Sequence, residues 1–279
     1  MNISSCLIAA HRGARSLSPE NTLSAARKAY ALGADLWELD VSLSRDGIPV
    51  VIHDDTLGRT SNVEEVFPER ALHPVYTFSL AELRRLDFGS WFNLIDPFGQ
   101  IAAGAVSEQD QASFIGLSIP TLYEALQLTR TLNWYVNVEI KDMTGSTGDS
   151  EIVGKVLNEI ESLGMQDRVL ISSFNHEYLR QCRRLAPNVK LGALIEGNTA
   201  VDPVEILRQA GADAFHPGAD WLDENQIEIC HKAGIPVNIW TVNQTVDMQR
   251  WIAAGANALF TDFPQWMTPL VNKARKAAA

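Results

Sequence analysis

Short apolar runs recur along this chain, separated by segments whose apolar residues return every three or four positions. The runs at 6–11, 36–42, 136–140, 169–174, 191–195, 214–216, 237–242 and 258–261 are mostly Val, Ile, Leu and Ala. They alternate little, as parallel strands buried on both faces do. The segments 22–32, 150–163, 176–185, 203–210, 223–233 and 245–254 carry helical apolar spacing. Gly33, Gly211, Gly234 and Gly255 follow four of them, where a helix end needs a positive φ before the next strand. Eight strands joined by helices predict an α/β fold, a single (β/α)8 TIM barrel over residues 1–279.

One stretch breaks this rhythm. Between His53 and Pro120 no βα repeat is visible, which predicts an insertion over residues 57–120, after the second strand region. A long loop at the C-terminal face of a barrel serves as a lid or substrate-selecting cap, or as a structural plug without substrate contact.

Composition narrows the function. A formal net charge of −11 excludes a basic nucleic-acid footprint, so an anionic substrate needs a local source of positive charge such as a divalent cation. Residues 1–8 have no basic segment followed by a long apolar one, and no apolar run is long enough to span a bilayer. The expectation is a cytoplasmic protein with no stable membrane insertion. Cys6, Cys182 and Cys230 are scattered and odd in number, which suits small core residues in a reducing compartment. The pattern sets no oligomeric state.

The candidate chemistry gathers at strand ends, where a barrel presents side chains to its mouth. Glu38 and Asp40 are two residues apart on one strand, so both point the same way about 6.6 Å apart, and one calcium-like ion can sit between them. Glu139 and Lys141 repeat the spacing. They read as a third metal ligand and a phosphate clamp, the alternative being a buried ion pair. His11 and His53 end apolar runs and supply an acid and a base, while Arg12 can fork across two phosphate oxygens beside Gly13. This is the equipment of phosphodiester cleavage.

His11-Arg12-Gly13, Pro19-Glu20-Asn21-Thr22, Glu38-Leu39-Asp40, His53-Asp54 with Thr56-Leu57 and Arg59-Thr60, Glu139-Ile140-Lys141 and Trp240-Thr241-Val242-Asn243 together resemble the glycerophosphodiester phosphodiesterase family, nearly end to end. The resemblance implies hydrolysis of small-molecule glycerophosphodiesters to glycerol 3-phosphate and an alcohol, with one Mg²⁺ or Ca²⁺. It implies Glu38, Asp40 and Glu139 as metal ligands, His11 and His53 as the acid–base pair, and Arg12 and Lys141 on phosphate. Water or the glycerol 2-hydroxyl is the nucleophile. Asn21 is expected to cap the following helix and Glu20 to support the site from behind. Trp240 contacts substrate or packs at the mouth, and Phe174 lines the pocket. His216 is a supporting or simply packed residue, and His73, His176 and His231 are expected at the surface. Residues 98–114 are longer than in bacterial relatives, and Leu117 stands where many relatives have an acid, so no role passes to it. Competing readings are lysophospholipase D-like or phospholipase-like cleavage, and a non-catalytic diester-binding barrel.

Overall fold

The computed structural model describes residues 6–197 and 202–277. Nine strands form one sheet: β1 (Leu7–Ala10), β2 (Leu36–Leu43), β3 (Pro49–Val51), β4 (Tyr135–Ile140), β5 (Val169–Ser173), β6 (Lys190–Ile195), β7 (Ala214–Pro217), β8 (Asn238–Ile239) and β9 (Ala258–Thr261). All but β3 are parallel, in the order β7-β6-β5-β4-β2-β1-β9-β8. Parallel bridges Phe215–Val237 and Gly218–Trp240 bring β7 against β8, so the eight parallel strands form the nearly closed ring of a (β/α)8 barrel.

The predicted strands are present with small shifts at their ends, except that 237–242 contracts to the two residues of β8. Pro217, beside it in β7, has no N–H to donate, and only isolated bridges join the two strands. The six predicted helices are also present, and the four glycines named above have φ of 68–97°. Two longer helices lie beyond the six segments of helical spacing. Leu122–Thr131 starts from a capping box in which Thr121 Oγ1 accepts from Glu124 N–H and the Glu124 carboxylate accepts from Thr121 N–H. Pro264–Ala277 follows β9 and takes in the basic stretch Lys273–Lys276, which the sequence alone marks as a solvated, frayed helix end; residues 1–5 and 278–279 lie outside the described residues.

Alternate residues of β2 face opposite ways. Trp37, Leu39 and Val41 are fully buried in the main apolar core, where Trp37 stacks on Trp134 and its indole donates to Thr129 Oγ1 at 2.9 Å. Glu38 and Asp40 lie on the other face of the strand. Residues 57–120 hold only short helices, packed in two small clusters around Phe78 and Leu83 and around Phe92 and Phe114. The three cysteines are free and buried.

His216, on β7, is fully buried beside Phe260, with Asn238 Nδ2 donating to its Nε2 at 2.9 Å. Burial pushes its pKa down to about 3, so the ring is a neutral packed group. Gly192 on β6 makes room for it, since a Cβ there would lie 2.4 Å from His216 Nε2. Gly192→Ala is expected to cost about 1 to 3 kcal/mol, read from urea unfolding midpoints, and an unchanged midpoint would disprove this close approach. His176 and His231 are half-buried and hydrogen-bonded, to Leu194 O and Asn257 Oδ1, rather than free surface residues; His73 is exposed. Among the described residues no helix is long and apolar enough to cross a membrane.

Candidate active site

The register of β2 against β4 sets Asp40 directly beside Glu139 and Glu38 beside Asn137. As a result Glu38, Asp40 and Glu139 each bring a carboxylate oxygen within 4.8 Å of the other two. β2 runs past the barrel mouth and turns back as β3 through Gly47, whose φ of 71° suits only glycine well. Ile52 N–H then donates to Asp40 O at 3.0 Å, which returns His53 to the acids. This antiparallel return, which the apolar pattern of 49–54 did not disclose, is how the second histidine reaches the site.

Arg12 and Asn21 both adopt positive φ, 54° and 57°. In that conformation Arg12 N–H donates to Glu38 Oε2 at 2.8 Å. The Arg12 guanidinium donates to Glu20 Oε1 at 2.9 Å and lies 3.3 Å from Asp40 Oδ2. Asn21 does not cap the helix that follows. Thr22 does, through Oγ1 accepting from Ala25 N–H, because Asn21 is turned inward with Nδ2 on Asp40 Oδ2 at 2.8 Å. Glu20 lies behind Arg12, buried among Arg12, Arg15 and Arg59, which hold its pKa well below the usual carboxylate range against the opposing effect of burial.

Charge is unevenly balanced here. Burial, then Asp40 and Glu139, push Glu38 well above the ordinary carboxylate value. Burial and Asp40 likewise raise Glu139. Burial opposes ionisation of Asp40 too, yet Arg12 and Lys141 bring its pKa below the ordinary value. Lys141 Nζ sits 2.9 Å from Glu139 Oε1 and 3.8 Å from Asp40 Oδ1, so the ion pair considered as an alternative does form, within the acid cluster. Glu38 Oε1 is buried without a hydrogen-bond partner. Three converging carboxylates, of which Glu38 and Glu139 are destabilised as anions and Glu38 also keeps a bare buried oxygen, fit a hard divalent cation with oxygen ligands.

Both histidines carry a carboxylate on Nδ1: His11 on Asp262 Oδ1 at 2.6 Å, His53 on Asp54 Oδ1 at 2.7 Å. Each Nδ1–H is thereby fixed, leaving Nε2 as the exchanging nitrogen. Asp262 is further held by Asn243 Nδ2 at 2.8 Å and has a pKa of about 2, because His11 and Arg15 outweigh its burial. Burial, reinforced by Arg12, lowers the pKa of His11 even though Asp262 pulls it upward. Arg59 joins the two sides of the site, donating to Asp54 through Nε at 2.6 Å and to Glu20 through Nη2 at 2.7 Å.

These groups open onto one cavity of about 430 Å³ lined by His11, Arg12, Glu38, His53, Glu139, Lys141, Phe174, Glu196 and Trp240 among others, with none of residues 57–120 in its wall. The segment meets the groups behind the site, through Arg59 on Glu20 and through the Phe98 ring against Arg15. Sequence reasoning singled out neither Asp262 nor Arg15 nor Glu196. Asp262 lies 251 residues from His11, so no local spacing could link them.

The glycerophosphoryl diester phosphodiesterase family model matches residues 11–266. A glycerophosphodiester phosphodiesterase of Caldanaerobacter subterraneus subsp. tengcongensis is 37% identical over 96% of this chain and 98% of its own length. One of Bacillus subtilis is 30% identical over 92% of this chain and 84% of its own. A phosphodiesterase of Oleispira antarctica, solved in complex with the product sn-glycerol-3-phosphate, superposes with a TM-score of 0.81 at 28% identity, covering 95% of this chain and 96% of that one. With the fold, the acid cluster and the paired histidines in place, these similarities establish that the chain is an enzyme and belongs to the glycerophosphoryl diester phosphodiesterase family.

Proposed function

We propose that the chain hydrolyses glycerophosphodiesters such as glycerophosphocholine or glycerophosphoethanolamine to glycerol 3-phosphate and the free alcohol, with one Mg²⁺ or Ca²⁺ held by Glu38, Asp40 and Glu139. The observation that carries this reading is the convergence of those acids with two carboxylate-oriented histidines and two cations, Arg12 and Lys141, on one cavity. When bound, the cation supplies Lewis-acid charge stabilisation at the phosphoryl oxygens.

Arg12 and Lys141 bind the remaining anionic oxygens, Arg12 through its fork and Lys141 as a point charge. His11, neutral at pH 7 because burial and Arg12 depress its pKa, is in the form a base requires. Its Nε2 takes the proton of the attacking oxygen, water or the glycerol 2-hydroxyl, while Asp262 stabilises the imidazolium. His53 gives a proton to the leaving alkoxide; where the 2-hydroxyl attacks, the product of this step is a cyclic phosphate, which water opens to glycerol 3-phosphate in a second step. Phe174 and Trp240 flank the substituent that leaves the phosphate, and Glu20 and Asn21 hold Arg12 and Asp40 in position.

Protein stripped of metal and resupplied with Mg²⁺ or Ca²⁺ is expected to release glycerol 3-phosphate from both diesters. Silence with both ions would overturn the reading. Arg59→Met is expected to lower kcat roughly 10-fold with KM little changed, since it removes the side chain that ties Asp54 to Glu20 without touching the cavity wall. A wild-type kcat in that variant would remove Arg59 from the positioning network.

A further inference from the structure

The cavity has a side that the phosphate chemistry does not use. Around the eight parallel strands β6 lies four places from β1, and β8 four places from β4. Glu196, one residue beyond β6, is thus across the barrel from His11 and Arg12, and Trp240, directly after β8, is across from Glu139. The Trp240 indole donates to His216 O at 2.8 Å, and the Phe174 ring stands perpendicular to it with centroids 5.4 Å apart. This half of the wall is Phe174, Trp240 and Leu194 with one acid, Glu196, and two hydroxyl residues, Ser172 and Thr241.

That acid calls for an explanation. Of the three acids in the cavity wall, Glu38 and Glu139 belong to the metal cluster, whereas Glu196 is exposed and forms no ion pair among the described residues. A carboxylate at the rim of a cavity that admits a phosphodiester repels its substrate, in a protein already at −11, unless the substrate also carries a cation there. Aromatic rings next to a carboxylate attract an ammonium group, through the ring quadrupole and through charge. A neutral polyol can hydrogen-bond Ser172, Thr241 and Glu196 here, but it gains nothing from the ring faces, which favour a cation.

We infer that Glu196, Phe174 and Trp240 form the subsite for the leaving alcohol, and that it selects alcohols bearing an ammonium group. This rests on the diesterase reading above and adds the chemistry of the leaving group to it. The test is the ratio of kcat/KM for glycerophosphocholine to that for glycerophosphoglycerol, in the wild type and in Glu196→Gln. The wild type is expected to favour the choline diester, and the variant to lower that ratio by about 3- to 10-fold, the range for an exposed charge whose aromatic neighbours remain. Added choline should inhibit the wild type more strongly than the variant. Equal losses on both diesters would move Glu196 to the glycerol side and overturn the inference, as would an unaltered ratio. If neither diester is turned over by the metal-loaded wild type, the diesterase reading itself falls and the subsite with it.

Discussion

Alanine in place of His53 is expected to lower kcat by about 10²- to 10⁴-fold with the fold retained, the range that a positioned acid or base contributes. The histidine is well suited to the experiment because its side chain is 33% exposed, so truncation leaves no sealed cavity. Its partner Asp54 keeps both Arg59 hydrogen bonds in the variant and is not left as an uncompensated anion. A loss in rate without a matching loss in unfolding midpoint therefore reports on chemistry. His11 gives a less clean answer, since its ring is more buried and its removal disturbs Asp262, Arg15 and Asn243 together. Steady-state rates beside thermal unfolding settle the matter. A His53→Ala protein that turns over at a near-normal rate would dismiss the acid–base pair.

How far the chain discloses its own site depends on whether a residue's partner is local. Strand positions were legible because each buried parallel strand repeats the same apolar run, and the Glu38–Asp40 pair was legible because strand periodicity places both on one face. Thr121 and Glu124 display a capping box in the bare sequence, so the helix at Leu122–Thr131 was readable there; the irregular segment preceding it hid the signal. Residues 57–120 show no period because their helices are only three to seven residues long. Asn21 illustrates the opposite limit. Asparagine ahead of a helix is ordinarily a cap, but here the positive φ at Asn21 sends its amide to Asp40, a partner set by the β1–β2 packing. Asp262 and Arg59 are likewise read only from the closed barrel, in which the last strand end meets the first and the insertion meets Glu20.

The acid cluster makes the second large prediction, and it separates a metal site from a structural ion-pair network by sign. In a purely structural network Glu38 would contribute stability, and Glu38→Gln would lower the unfolding midpoint under all conditions. Its environment indicates the reverse: Glu38 is buried, has one oxygen without a partner, and lies with two other carboxylates that disfavour its charge. Glutamine keeps the shape and can still accept from Arg12 N–H, while it removes the repulsion. Without metal, Glu38→Gln is therefore expected to be at least as stable as the wild type. With Ca²⁺ or Mg²⁺ added, the order inverts. A ligand that binds only the folded state stabilises by about 2.7 kcal/mol at 100 times its Kd, and a variant lacking one of three carboxylates forfeits most of that gain together with turnover. Thermal unfolding of both proteins, chelated and metal-loaded, reads both signs directly. A variant that is destabilised in chelator and still gains the full wild-type increment on adding metal would show that the three acids hold the barrel mouth together and do not bind a cation.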